Sequence, residues 1–277
     1  MWEQGILKSA WKKILVYFLL AVITIGPLFP IFWMISSSFK VRRDWTALSF
    51  IPSVFTTENY SKVISSNLFP ALPNSLIIAF SSTVIAVFLS LMGAYVLSRF
   101  NFKWKSQIEN YIISTRFIPP VIFLLPLFIS VTRLKLMDTH FIMILFYAMM
   151  NIPYTLWIMK SFIDEIPAEI DEAALIDGCS RWQILLRIII PISIAGIVVV
   201  FMFAFIFAWN EFLIAFAFTR SNAVTLSLQI MGLARSNVGL QLGPISALVT
   251  IATIPVLIIV AFLQRYIVRG LTFGAIK

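Results

Sequence analysis

The sequence is poor in cysteine, histidine and charge, and each shortage excludes a class of protein. The single cysteine, Cys179, excludes a disulfide within the chain, and the single histidine, His140, leaves no Cys/His cluster for a metal. No Gly-x-x-x-x-Gly-Lys-Ser/Thr loop is present to cradle nucleotide phosphates. We therefore expect no catalytic, cofactor or metal site in this chain.

Charged residues make up only 12% of the 277-residue chain, whereas 60% of the residues are hydrophobic and the mean hydropathy is +0.97. These values exclude an ordinary soluble domain. A membrane-spanning helix needs roughly 20 mostly apolar residues. Six blocks meet that requirement, and they predict an all-α integral membrane protein with six transmembrane helices: 14–37, 73–97, 111–132, 141–159, 190–212 and 244–265.

The distribution of lysine and arginine predicts the orientation. With a cytoplasmic N-terminus, the inner segments hold twelve of the 21 basic residues and the outer segments eight, while Arg116 lies within a span. Cytoplasmic flanks carry the excess of positive charge, so we expect both termini in the cytoplasm. Basic flanks beside anionic lipid also account for the net charge of +9, and no nucleic-acid partner is needed.

The spans divide the chain into predicted segments. They are a cytoplasmic N-terminus (1–13), a first transmembrane helix (14–37), an extracellular loop (38–72), a transmembrane domain (73–265) with a cytoplasmic connection at 162–190, and a cytoplasmic tail (266–277).

The connection between the fourth and fifth spans resembles a soluble helix pair. Pro167 suits a first helical turn, Gly178 favours a left-handed helix end, and Ser180 followed by Gln183 predicts a capping box. Pro191 ends or kinks the second helix, which we expect to run nearly straight into span five. The connection is therefore predicted to form two short helices bent at Gly178.

The first of these helices has the properties of a docking surface. Ile170, Ala173, Ala174 and Asp177 recur at helical spacing, and the two alanines would permit close approach of a partner. Glu172 would meet a basic group there. The alternative is an amphipathic helix on the membrane surface that buries Leu175 and Ile176. Four acidic residues and no basic residue before Arg181 argue against an anionic lipid surface.

A family resemblance rests on this connection and on scattered residues elsewhere. Glu172-Ala173-Ala174, Gly178 and Ile190-Pro191 resemble the EAA signature of ABC importer permeases. Within this family the sequence is similar to the sugar-importing branch, in particular to the smaller, maltose-type second permease. This similarity rests on Trp209-Asn210, Pro255 and the tail from Gln264-Arg265 to Gly270 and Lys277. The resemblance covers essentially the whole chain.

The resemblance implies a fold, a function and partners. It implies the type I importer fold, and a permease subunit of an ATP-driven, binding-protein-dependent importer that moves a carbohydrate, a di- or oligosaccharide, across the cytoplasmic membrane. The implied partners are a homologous second permease, two ATPase subunits that bind ATP and magnesium, and an extracellular solute-binding protein. The connection would then be a coupling loop that docks on an ATPase, through Glu169, Ile170, Glu172, Ala173, Ala174, Asp177 and Gly178.

Polar and aromatic residues within spans are candidates for the substrate path. Trp209, Asn210 and Glu211 lie toward the outer end of span five, and Asn151 and Tyr154 lie in span four; core packing is the competing interpretation. Arg116 is a candidate anchor or gate residue. Two alternatives remain: an ABC permease for a glycerol-phosphate-type polyol, whose phosphate would favour more basic residues, and an ion-coupled secondary transporter, for which we find no paired intramembrane charges.

Overall fold

The structure is a computed structural model that describes residues 10–47, 49–66, 69–235 and 241–273. Residues 1–9 of the predicted N-terminal segment and residues 274–277 of the predicted tail lie outside the described residues. Within the described part of the chain every regular element is a helix, and the β-structure consists of one isolated bridge between Lys40 and Phe55. The all-α fold predicted from the apolar blocks is confirmed.

The chain forms two compact units. The first comprises residues 1–67 and 232–252, and the second comprises residues 68–231 and 253–277. In the first unit, helix α1 (Ala10–Ser38) is followed by a loop and by helix α2 (Glu58–Ser65). The amide of Asn59 donates hydrogen bonds to the carbonyls of Ser38 and Lys40, both at 2.9 Å, and so holds α2 against the end of α1.

The second unit contains most of the remaining helices. In chain order they are α3 (Ala71–Arg99), α4 (Lys105–Ser114), α5 (Val121–Arg133), α6 (His140–Asp164), α7 (Glu169–Ile176), α8 (Arg181–Ile192), α9 (Ile194–Asn210) and α10 (Leu213–Phe218). Helix α11 (Leu226–Ala234) and helix α12 (Leu242–Phe273) each contribute residues to both units.

Small and hydroxyl-bearing residues allow α3 and α6 to pack closely. The hydroxyl groups of Ser90 and Thr155 lie 2.5 Å apart and are buried. A Cβ atom at Gly93 would lie 2.8 Å from a methyl carbon of Leu156, so a larger residue there would collide with α6. In a membrane, where apolar burial between helices contributes little, such close packing and interhelical hydrogen bonding hold helices together.

Among the described residues, four helices are continuous and apolar enough to span a membrane: Lys12–Ser38, α3, α6 and the Leu242–Tyr266 part of α12. Two further candidates are bent pairs. Lys105–Phe117 and Val121–Arg133 meet at 92°, and Arg181–Ile192 and Ile194–Asn210 meet at 79°. The predicted six spans are therefore reached when each bent pair counts as one. The span predicted over 111–132 is broken where expected, because the Pro119-Pro120 pair lacks two backbone donors and separates α4 from α5.

Candidate functional site

The turn between α7 and α8 has the predicted caps. Gly178 adopts a φ of +82°, a left-handed conformation that glycine tolerates best. Its N–H donates to the carbonyl of Leu175 at 3.0 Å, and the N–H of Cys179 donates to that of Ala174 at 3.0 Å. Ser180 and Gln183 form a complete capping box at the start of α8. These local bonds fix the angle between the two helices without any partner.

One face of α7 is exposed and mixes acidic with apolar side chains. Glu169, Glu172 and Ala173 are exposed on successive turns, as is Asp177 just after the helix. Ile176 is 87% exposed. On α8, Trp182 is 51% exposed as well, which the sequence analysis did not anticipate. Exposed apolar side chains rimmed by charge are typical of docking surfaces.

The two adjacent alanines do not share this face, which corrects the sequence analysis. Ala173 is exposed, whereas Ala174 is only 6% exposed and packs in a buried cluster with Ile163, Ile166 and Ile184. Ile170 is half-buried against the same cluster. Consecutive residues project about 100° apart around an α-helix. Ala174 therefore serves the internal packing of the chain and offers no surface to a partner.

The buried side of α7 carries a charged residue that sequence reasoning missed. Asp171 is 2% exposed and forms an ion pair with Arg99 at the end of α3, with 3.1 Å between Oδ1 and Nε. The hydroxyl of Tyr95 donates to the other carboxylate oxygen at 2.9 Å, and Arg99 also donates to the carbonyl of Ile166 at 2.8 Å. The available signal was the helical spacing of Asp171 with Ala174 and Leu175, which places its side chain inward.

The path from α8 into the membrane is sharply bent, so the predicted straight continuation into span five was wrong. Residues Leu185–Ile189 form a π-helical turn, Pro191 provides no N–H, and Ser193 has a ψ of 5°. Proline and π-helical turns are common causes of helix kinks. Together they produce the 79° bend between α8 and α9.

Arg116 lies at the break between α4 and α5. Its Nη1 donates to the carbonyl of Met150 at 3.0 Å. Its guanidinium carbon lies 4.6 Å from the ring centre of Phe207 and 5.7 Å from that of Tyr154. No carboxylate in the described ranges pairs with it. The structure therefore brings two predicted residues, Arg116 and Tyr154, together and adds Phe207.

Two other predicted path residues, Asn151 and Trp209, are buried. Asn151 is fully buried, donates to the carbonyl of Ala204 at 3.3 Å, and has an Oδ1 atom without a partner among the described residues. Trp209 is 6% exposed and stacks on Phe205. Asn151 thus joins α6 to α9, whereas Trp209 packs along α9, and both side chains are buried in this conformation.

Asn210 and Glu211 lie at the end of α9. Asn210 is exposed and its amide donates to the carbonyl of Ile206 at 2.8 Å, one turn back. Glu211 accepts from the N–H of Ile214 at 3.0 Å and from that of Ala215 at 3.4 Å, and thereby caps α10. Glu211 thus has a local structural role in the described part of the chain.

Comparison with known proteins decides the family. The profile of the "binding-protein-dependent transport system inner membrane component" family matches residues 82–273, more than half of the chain. The chain belongs to this permease family. The resemblance found in the sequence is thereby confirmed at the level of the family.

Individual relatives match over almost the whole permease. It is 34% identical to the inner membrane ABC transporter permease protein YcjP of Escherichia coli, over 98% of either chain. It is also 34% identical to the trehalose/maltose transport system permease protein MalG of Thermococcus litoralis, over 96% of this chain and 97% of MalG.

A solved structure shares the fold of the permease. A chain in the crystal structure of a bacterial ABC transporter involved in the import of the acidic polysaccharide alginate superimposes with a TM-score of 0.75 at 22% identity, over 92% of this chain and 96% of that one. The permease is thus a multi-pass membrane protein with the type I importer fold.

Proposed function

We propose that this permease is one of two membrane subunits of an ATP-driven importer that takes up a carbohydrate, a di- or oligosaccharide, from a solute-binding protein. The observation that carries the proposal is the exposed face of α7, an acidic and apolar surface preformed by local caps in a chain of the permease family. A subunit with such a surface is built to be driven by another protein.

The exposure pattern of α7 supports docking to a protein over adsorption to lipid. Adsorption would require Leu175 and Ile176 to enter the membrane surface together. Leu175 instead packs against the internal cluster, and only Ile176 projects outward, between Glu172 and Asp177. An anionic lipid surface repels such acids, whereas a cleft with basic and apolar groups accommodates both kinds of side chain.

The partners follow from the proposed function. ATP and magnesium would bind to two separate ATPase subunits, one of which receives α7 of this chain on the cytoplasmic side. A homologous permease would supply the other half of the path, and the binding protein would deliver the sugar from outside. This arrangement places both termini in the cytoplasm, in keeping with the distribution of basic residues. The transport cycle is then a two-state equilibrium that the state of the ATPases biases.

The cluster of Arg116, Tyr154 and Phe207 is the part of the described chain best suited to contact the cargo. A cation in a span is costly unless it faces the interior of a bundle or a polar path. Arg116 is exposed in the isolated chain and keeps N–H groups beyond the one that bonds Met150. Hydroxyl groups of a sugar can accept from these, while the aromatic rings offer an apolar face. The assignment to sugar is supported by relatives such as the trehalose/maltose permease MalG.

The first test is co-purification followed by an ATPase assay. The tagged chain would be expressed with the proteins encoded beside it, extracted in detergent and analysed for bound subunits. We expect a second permease and an ATPase, with hydrolysis stimulated by sugar-loaded binding protein. A Glu172→Lys/Ile176→Asp variant should lose the ATPase but keep the second permease. An Asp164→Asn variant, altered at a carboxylate that is 44% exposed and precedes α7, should keep both.

Other outcomes would identify the alternatives. Stimulation by a phosphorylated polyol and not by sugars would indicate that Arg116 receives a phosphate. A chain that purifies alone and catalyses uptake without ATP would overturn the importer proposal in favour of a secondary transporter.

A further inference from the structure

The ion pair of Arg99 and Asp171 differs from the other ion pairs in the described part of the chain. Its side chains are 6% and 2% exposed, whereas the partners of the other pairs are 15–73% exposed. Exposed pairs contribute little because water and salt screen them. A buried pair is different, because separating it leaves two charges without partners in a medium of low dielectric constant. This contact therefore resists separation more than any other ion pair described.

The pair connects α7 to α3, a helix long and apolar enough to span a membrane. Arg99 is the last residue of α3, and Asp171 lies in the first turn of α7. The bond from Arg99 to the carbonyl of Ile166 also holds the segment that leads into α7. Tyr95, one turn earlier on α3, adds its hydroxyl to the carboxylate. Ile166, before α7, and Asp171, in its first turn, are thus both bonded to α3. Tyr95 and Ile166 also belong to the buried apolar cluster that contains Ala174.

The covalent route from α7 into the membrane is, by contrast, deformable. Beyond the turn that the caps at Gly178 and Ser180 fix, it passes through two irregular points, the π-helical turn Leu185–Ile189 and the break at Ser193. Each of these points lacks the regular hydrogen bonding that makes an α-helix stiff. A displacement of α7 along this route would change the bend between α8 and α9 before it moved α9.

We propose that Arg99, Asp171 and Tyr95 form a latch that makes α7 and α3 one rigid body, so that a displacement of α7 by its partner enters the membrane through α3. The proposal rests on the proposed function, since it assumes that a partner drives α7. Because α3 is packed tightly on α6 through Ser90 and Gly93, both helices move with the latch. Helix α9 does not follow this movement fully, because the bend at Ser193 changes its angle instead. The three residues are positioning residues, and they contact neither cargo nor nucleotide.

The test uses the co-purified importer in proteoliposomes and measures sugar uptake and ATP hydrolysis in the same preparation. In Asp171→Asn the carboxylate loses its charge, and in Tyr95→Phe only the hydroxyl is removed. We expect both variants to retain their subunits and their hydrolysis, while the sugar transported per ATP falls about tenfold in Asp171→Asn and less in Tyr95→Phe. A merely structural role would lower assembly and leave this ratio unchanged. Asp164→Asn serves as the matched control and should keep the wild-type ratio.

A distance measurement keeps the latch testable when a variant fails to fold. Spin labels would be placed at the exposed positions Val96 on α3, Ala168 before α7 and Phe203 on α9. Between the nucleotide-free and ATP-trapped states we expect the 96–168 distance to stay constant and the 168–203 distance to change. A change in the 96–168 distance, or a wild-type ratio in Asp171→Asn, would overturn the latch. A wild-type complex without sugar-dependent uptake would overturn the proposed function. The spin-label distances would still show whether α7 and α3 move as one rigid body.

Discussion

Replacing Asp138 with asparagine is expected to destabilise the second unit. Asp138 lies between α5 and α6, and its carboxylate accepts from four successive backbone N–H groups at 2.8–3.0 Å: those of Arg220, Ser221, Asn222 and Ala223. The hydroxyl of Ser221 donates a fifth bond at 3.1 Å. This one side chain thus ties the α5–α6 connection to the segment that follows α10.

The magnitude follows from the number of bonds and their charge. A hydrogen bond to a charged group contributes about 1.5–3 kcal/mol, and bonds to one acceptor are not additive. Asparagine keeps one acceptor oxygen, loses the charge and turns an NH₂ group toward two N–H donors. We expect a loss of about 2–3 kcal/mol in unfolding free energy, which corresponds to a decrease of about 5–10 °C in Tm.

Thermal unfolding of the detergent-purified permease would measure this effect. Glu58→Gln is the control, because Glu58 is 62% exposed and its one ion pair among the described residues is with Lys62 one turn away, so its loss should shift Tm by less than about 2 °C. Burial works to raise the pKa of Asp138, but the four backbone N–H groups outweigh it and lower the pKa. The stabilisation is therefore complete above the ordinary value of 3.8 and is lost as the pH falls below it. Equal Tm values for Asp138→Asn and Glu58→Gln at pH 7 would refute the reasoning.

Three further substitutions test other parts of the structure. Gly178→Ala should lower the free energy of unfolding by about 1 kcal/mol through backbone strain alone, because φ is +82° and no atom lies within 4 Å of an added Cβ. An unchanged free energy of unfolding would contradict the left-handed conformation of Gly178. Gly196→Ala should lower the free energy of unfolding by about 1–3 kcal/mol, because the Cβ would lie 2.5 Å from the Phe162 ring. Adding Phe162→Ala to the same chain should restore the part of this loss that the steric clash causes. Glu172→Lys should leave Tm unchanged while sugar uptake falls, because the side chain is exposed on the proposed docking face; near-normal uptake would contradict the role of that face.

Features that depend on neighbours in sequence could be predicted. The apolar blocks predicted the helical membrane fold, and the caps at Gly178 and Ser180 formed as expected because their bonds reach only three or four residues along the chain. The docking roles of the residues on α7 stay predictions, since no partner is present to contact them.

Features that depend on distant residues could not be predicted. Asp171 was counted among the acids of a docking helix, yet its partner Arg99 lies 72 residues earlier in the chain. The contact between Arg116 and Phe207 requires the break after α4 to approach α9, which no periodic pattern encodes. The bend between α8 and α9 was anticipated only as one option at Pro191, because the π-helical turn before it has no sequence signature of its own.

Uptake of a labelled disaccharide into proteoliposomes would show whether this permease works as part of an ATP-driven sugar importer. The vesicles would contain this permease with its co-purified second permease and ATPases, with ATP enclosed and the binding protein outside. We expect uptake that requires both ATP and binding protein and that disappears in the Glu172→Lys/Ile176→Asp variant. Uptake by this chain alone, driven by an ion gradient and unaffected by that variant, would contradict it.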